Sequence, residues 1–400
     1  MRLNYLLSTL IILERIFFST SVPIDDAKKV KDLVNDDGYQ LETHYVETED
    51  GYILEMHRIP RSRASNESTY KKHPVYVKHG LGECSVLFLL TGPKRALAYL
   101  LVDKGYDVWL GNSRGSIFSR NHSQFLSSSF GFWNFSWHEI GLYDDSAMMD
   151  YVLQHTENNK LFYICHSQGC TELFVLVSLR TEYNDKIHLA VNLAPAIFLE
   201  HLSGLARIGS SFSHIASYIF EKFGHVNALD GSTWLRVVTN YFCHKEMFTQ
   251  HICIFIINSI AGFSSFMTDK NVYNKFLTYF PSGGSSKQLF HYGFGAHSPA
   301  EFRQYDYGRK INEIVYNSRL PPKYPLQKAT LPVAIFYGSK DFLAPSKDVE
   351  FLIETLPNVT YTKLIEGFNH FDFLIGINVR NKVYEEMLQL LENYRKKIIY

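Results

Sequence analysis

The sequence predicts an α/β fold, with a mostly parallel central sheet, helices on both faces and an inserted helical cap or lid. Three observations predict it. Short runs rich in β-branched and aromatic residues alternate with helix-compatible segments, the pattern of parallel strands covered on both sides. An apolar run enters a turn at Ser167 and a second run leaves it, within LFYICHSQGCTELFVL. The alternation stops near Phe198 and resumes at Pro332.

Taken in order, residues 43–59 alternate apolar and polar around Glu49-Asp50-Gly51, a hairpin signal with an Asp-Gly turn. PVYVKHG (74–80) and GYDVWLGN (105–112) read as strands separated by the helix-compatible segment 93–102. Ser136-Trp137-His138-Glu139 has capping-box spacing and opens a helix through about Gln154. The strand 160–165 and its following helix come next, then the strand IHLAVNLAP. Residues 198–330, rich in Phe, Ile, Tyr and Ser, precede PVAIFYG. They could be further core or a separate domain, but loops at the carboxyl edge of an open α/β sheet surround its ligand crevice, which favours a cap. The expected division is 1–21 leader, 22–197 first part of the core, 198–330 cap and 331–400 second part of the core.

Forty basic residues balance forty acidic ones, so no broad field favours nucleic acid. Aromatic content is 15% and charged content 20%, the balance of a globular chain. The start, MRLNYLLSTLIILERIFFSTS, has Arg2, an apolar run and small residues at Ser19 and Ser21. This reads as a secretory signal with cleavage near Ser21, because Glu14 and Arg15 interrupt the run well before the ~20 residues of a membrane span. Sequons at Asn66, Asn121, Asn134 and Asn358 agree with that route. No integral span is expected in the mature chain.

Five cysteines leave at least one outside any internal pair. CHKEMFTQHIC offers Cys243, His244, His251 and Cys253 as a zinc set, or the two cysteines as a disulfide. An oxidising compartment and the lack of CxxC pairs favour the disulfide. Cys84, Cys165 and Cys170 lie in apolar runs and are expected to be buried thiols.

Ser167 sits in x-H-S-x-G, where a strand-to-helix turn would lift its hydroxyl clear of the sheet. An alkyl hydroxyl needs a base, and the base needs a partner that fixes its tautomer. Asp341 ends a strand in VAIFYGSKD and His370 lies in the loop EGFNHFD. Ser, Asp, His is the chain order of an α/β-hydrolase triad. Asp348 and Asp372 are rival acids, but neither ends a strand. The backbone N–H groups of Gln168 and of Leu81, in His79-Gly80-Leu81-Gly82, are the expected oxyanion donors. His79 is read as a support for that loop. Gly283-Gly284-Ser285-Ser286-Lys287 lacks phosphate-loop spacing, and Gly111-Asn112-Ser113-Arg114-Gly115 is not GxGxxG.

These residues resemble the acid lipase family, which includes gastric and lysosomal acid lipases and many insect lipases. The likeness covers nearly all the chain after the leader. It is carried by HGL (79–81), GYDVWLGNSRG (105–115), SRNH (119–122), FWNFSWHEIGLYD (132–144), HSQG, NLAPAIFL, FRQYDYG (302–308) and FNHFDFL. The resemblance puts Ser167, Asp341 and His370 on the family's triad, Leu81 and Gln168 on its oxyanion hole, and Cys243 and Cys253 near its cap disulfide. It implies a movable lid, no metal or other cofactor, secretion or lysosomal delivery, and lipid ester substrates such as triacylglycerols or sterol esters at a lipid–water interface. Cys165 departs from the family's glycine and is small enough for a crowded elbow. Gly82 and Glu83 alter the oxyanion loop. A general carboxylesterase and a non-catalytic lipid carrier are the competing expectations.

Overall fold

The structure, a computed structural model, describes residues 26–62, 72–229, 242–243, 247–264 and 269–399. The expected leader, the sequon at Asn66 and His244 lie outside the described residues.

One sheet of nine strands forms the centre of the described residues: β1 (Glu42–Glu47), β2 (Tyr52–Ile59), β3 (Pro74–Lys78), β4 (Asp107–Gly111), β5 (Asn121–His122), β6 (Leu161–His166), β7 (Ile187–Leu193), β8 (Val333–Gly338) and β9 (Val359–Ile365). Their order is β1-β2-β4-β3-β6-β7-β8-β9, with β5 paired to β2. The ladder from β4 to β9 is parallel, whereas β1, β2 and β5 join antiparallel. Every residue of β3, β4, β6 and β8 is buried, which is why those strands are mostly apolar instead of alternating. β9 alternates exposed and covered positions at the sheet edge. Its polar sequence, VTYTKLI, hid it from the apolar-run reading.

The chain leaves β3 toward β4 on one side and later enters β6 on the other. A crevice therefore opens at the carboxyl ends of β3 and β6, where the direction of strand addition reverses. Both proposed oxyanion segments begin there.

The capping box at Ser136 is formed: its hydroxyl accepts from His138 N–H at 3.2 Å, and Glu139 accepts the Ser136 N–H at 2.7 Å. The helix Trp137–Glu139 continues through a π-turn segment, Ile140–Asp145, into Ser146–Thr156. Gly141 lies in that segment because a Cβ there would come 2.5 Å from the Glu172 carbonyl oxygen. Two helices thus touch backbone to backbone.

Between β7 and β8 lie the helices Gly204–Ser210, Ser213–Phe223, Gln250–Ala261, Lys270–Tyr279, Ser286–Gly295 and Arg309–Tyr316. They reach the loops at the carboxyl edge: the carbonyl of Ala261 accepts N–H bonds from both Phe342 (3.3 Å) and His370 (3.2 Å). None of the helices in the described residues is long and apolar enough to cross a membrane.

Candidate active site

Ser167 follows β6 and precedes the helix Gln168–Leu179, with φ 53° and ψ −119°. A non-glycine residue at positive φ is held there by its surroundings and marks a strained turn. The turn is tight because the helix packs on the end of β3: a Cβ at Gly169 would lie 2.8 Å from the Lys78 carbonyl oxygen and 2.9 Å from that of His79. Only glycine permits that approach.

The structure brings Ser167, His370 and Asp341 into one hydrogen-bonded chain. Ser167 Oγ lies 2.7 Å from His370 Nε2, and His370 Nδ1 lies 2.8 Å from Asp341 Oδ2. A carboxylate only accepts, so Nδ1 carries the ring hydrogen and Nε2 is left as an acceptor facing the Ser167 hydroxyl. The other oxygen of Asp341 accepts the N–H groups of Leu343 and Ala344, both at 2.8 Å, which fixes the carboxylate in the loop after β8. The rival acids are engaged elsewhere. Asp348 holds His201 at 2.7 Å, and Asp372 accepts the Asn369 N–H at 2.8 Å. Burial pushes the Asp372 carboxyl up to about 6.

Gln168 opens its helix, where the first N–H groups have no intrahelical acceptor and sit at the positive end of the dipole. Leu81 lies in the loop after β3, next to Gly80, where a Cβ would come 2.8 Å from the Ser167 Cβ. His79 receives the Ser113 N–H on Nε2 at 3.0 Å and donates from Nδ1 to the Gly80 carbonyl at 2.8 Å. Burial, then the neighbouring Lys78, depress its pKa to about 4, so it stays neutral and braces the loop. The GNSRG segment is structural too: Arg114 is buried against Asp144 at 2.7 Å and reaches Asp50 at 2.6 Å.

Two cysteine expectations are corrected. Cys165 and Cys170 are not separate thiols but are joined in a disulfide across the elbow, with Cα atoms 5.1 Å apart. The turn at Ser167 folds the end of β6 onto the first helical turn, which brings the pair within bridging range. The sequence reading treated each apolar run alone and missed this. Cys243 and Cys253 are also bridged, and Cys84 is buried outside both bridges. Of the sequons, Asn121 and Asn134 are exposed, while the Asn358 side-chain amide donates to the Thr330 carbonyl at 2.9 Å.

Sequence reasoning gave no role to His166 or Glu83, which pair at 2.8 Å directly behind the serine. Their separation of 83 positions left no local signal beyond the unusual glutamate in the loop.

Comparison with known proteins agrees with this architecture. Residues 73–377 match the alpha/beta hydrolase fold family, and residues 30–92 match the partial alpha/beta-hydrolase lipase region. Lipase 1 of Drosophila melanogaster is 39% identical over 92% of this chain and 80% of its own length. Lipase 3 of the same organism is 36% identical over 94% of each chain. Human gastric triacylglycerol lipase is 31% identical over 90% of this chain and 89% of its own. Among solved structures, a soluble variant of monoglyceride lipase from Saccharomyces cerevisiae superposes with a TM-score of 0.56 at 20% identity, over 88% of this chain and 96% of that one, a likeness of fold. With relatives of this identity along almost its whole length and a serine, histidine and aspartate joined at the crevice of the sheet, the chain belongs to the acid lipase family of the α/β-hydrolase fold.

Proposed function

We infer that the chain is a secreted or lysosomal lipase that cleaves acylglycerols or sterol esters through an acyl-enzyme on Ser167. The observation that carries this reading is the chain of hydrogen bonds from Ser167 through His370 to Asp341. Ser167 Oγ attacks the ester carbonyl while His370 Nε2 takes its proton. The N–H groups of Gln168 and Leu81 receive the oxyanion, each contributing about 3 kcal/mol to the transition state. His370 then returns the proton to the departing alcohol, and the acyl group stays on the serine. Water attacks next, giving its proton to His370, and the fatty acid leaves as Ser167 recovers its hydrogen.

Residues 198–330 serve as a cap with a movable lid. Ser167 is only 8% exposed, so a bulky ester reaches it after the covering residues move. The helix Ser213–Phe223 and its flank expose Phe212, Ile215, Tyr218 and Phe223, and Gln250–Ala261 exposes Ile252, Phe255 and Ile256. Such apolar surface on two helices of this segment suits a lipid–water interface. The relatives named gastric triacylglycerol lipase support a triacylglycerol substrate. The leader at 1–21 and the sequons at Asn66, Asn121, Asn134 and Asn358 support export and glycosylation.

Hydrolysis of long-chain against short-chain glycerol esters tests the substrate class. A preference for emulsified long chains is expected. A strong preference for water-soluble short esters would make the protein a general carboxylesterase.

A further inference from the structure

Behind Ser167 lies a second acid–histidine pair that the reaction above does not use. Glu83 and His166 are 1% and 0% exposed. His166 Nδ1 lies 2.8 Å from Glu83 Oε1, and its Nε2 lies 3.0 Å from the backbone carbonyl oxygen of His370. A carbonyl only accepts, so Nε2 carries a hydrogen. The Nδ1 contact therefore needs a further proton, supplied by an imidazolium facing a carboxylate or by a neutral pair.

The surroundings favour the charged form. Burial alone would raise the Glu83 carboxyl, but His166 outweighs it and holds the group below its ordinary range. Burial likewise opposes a charge on His166, and Glu83 overcomes it to raise the ring. A buried pair of this kind is costly to break, because loss of either partner leaves an uncompensated polar group away from water.

The pair also spans the site. Glu83 Oε2 accepts the N–H of Gly80 at 2.7 Å, one residue before Leu81. A continuous bridge thus runs from the loop after β3, through Glu83 and His166, to the backbone of His370. His166 is itself the residue preceding Ser167.

We propose that Glu83 and His166 form a positioning pair, a buried hydrogen-bonded bridge that sets the spacing between the oxyanion loop and His370 and thereby aligns His370 on Ser167. This rests on the serine-hydrolase reading above.

Three substitutions separate alignment from bulk. Glu83→Gln keeps both contacts, since its carbonyl oxygen accepts from Gly80 and its amide donates to Nδ1 of a neutral His166. Glu83→Asp retracts the carboxylate and cannot span both partners, and Glu83→Ala meets neither. With a soluble p-nitrophenyl ester, Glu83→Asp and Glu83→Ala should each lose about tenfold or more in kcat with KM within about threefold, while Glu83→Gln stays within about threefold of the parent in both. Wild-type kcat in Glu83→Asp and Glu83→Ala would overturn the proposal, as would an equal loss in Glu83→Gln. If Glu83→Ala fails to fold by circular dichroism, Glu83→Asp against Glu83→Gln decides alone. Fluorophosphonate labelling of the parent protein is run in parallel. An unlabelled parent would sink the hydrolase reading itself, whereas a labelled parent with indifferent Glu83 variants would sink only the positioning pair.

Discussion

Asp341 holds His370 from one side only: Oδ2 meets the ring Nδ1 at 2.8 Å while Oδ1 is occupied by two backbone N–H groups. The carboxylate therefore cannot rotate away, and it dictates which ring nitrogen carries the hydrogen. Asp341→Asn can present an amide hydrogen to Nδ1 instead. That would place the ring hydrogen on Nε2, facing Ser167 as a donor where an acceptor is needed. Ester turnover by Asp341→Asn should fall about 10⁴-fold with thermal stability little changed. Activity within tenfold of the parent would show that Asp341 does not orient the base.

The elbow bridge changes the expected thiol count. Two disulfides leave one thiol among five cysteines, at Cys84, where separate thiols at Cys165 and Cys170 would give three. Alkylation of the unreduced, denatured chain followed by peptide mass analysis should modify Cys84 alone. Joint replacement of Cys165 and Cys170 by alanine should destabilise the fold by about 2 kcal/mol, the chain-entropy value for so short a loop. Alkylated Cys165 or Cys170 would contradict the bridge.

A buried histidine gives the fold a defined response to acid. His291 stacks on Trp137 with ring centroids 3.6 Å apart and donates from Nε2 to the Arg303 carbonyl at 3.0 Å. Burial pushes its pKa down from the ordinary 6.5 to about 3. As pH falls, the unfolded chain binds this proton before the folded one, so the neutral ring's contribution is whole above pH 6.5 and is lost toward pH 3. Relative to His291→Gln, the parent should lose about 1.4 kcal/mol of stability per pH unit between pH 6 and 4 in denaturant melts. Parallel stability curves for the two proteins would refute the assignment.

The apolar face of the helix Ser213–Phe223 should matter only when substrate is presented on a surface. Ile215 and Phe223 are 68% and 73% exposed. Burying each side chain in lipid is worth up to about 2 kcal/mol, so Ile215→Ser with Phe223→Ser should weaken adsorption to triacylglycerol emulsion by about tenfold or more. Turnover of a soluble ester should be unchanged. Equal losses on both substrates would place these residues in general folding instead of surface contact.

Much of this architecture was legible because a parallel sheet writes itself in buried apolar runs. β3, β4, β6, β7 and β8 each coincide with such a run, and the glycine two residues after Ser167 marks the close approach of helix to strand. Ser167, Asp341 and His370, named from strand placement and chain order, lie in one hydrogen-bonded chain. What stayed hidden depends on contacts across distance or on polar edges. β9 alternates with Thr and Lys at the sheet margin, the Cys165–Cys170 bridge exists only once the elbow has turned, and Glu83 meets His166 across the switch point.

The most direct test of the central claim is covalent labelling of the native protein with a fluorophosphonate, followed by peptide mass analysis. One adduct per chain on Ser167, abolished in Ser167→Ala and strongly slowed in His370→Ala, is the predicted result. A folded protein that takes no label, or takes it on another residue, would contradict the catalytic role assigned to Ser167.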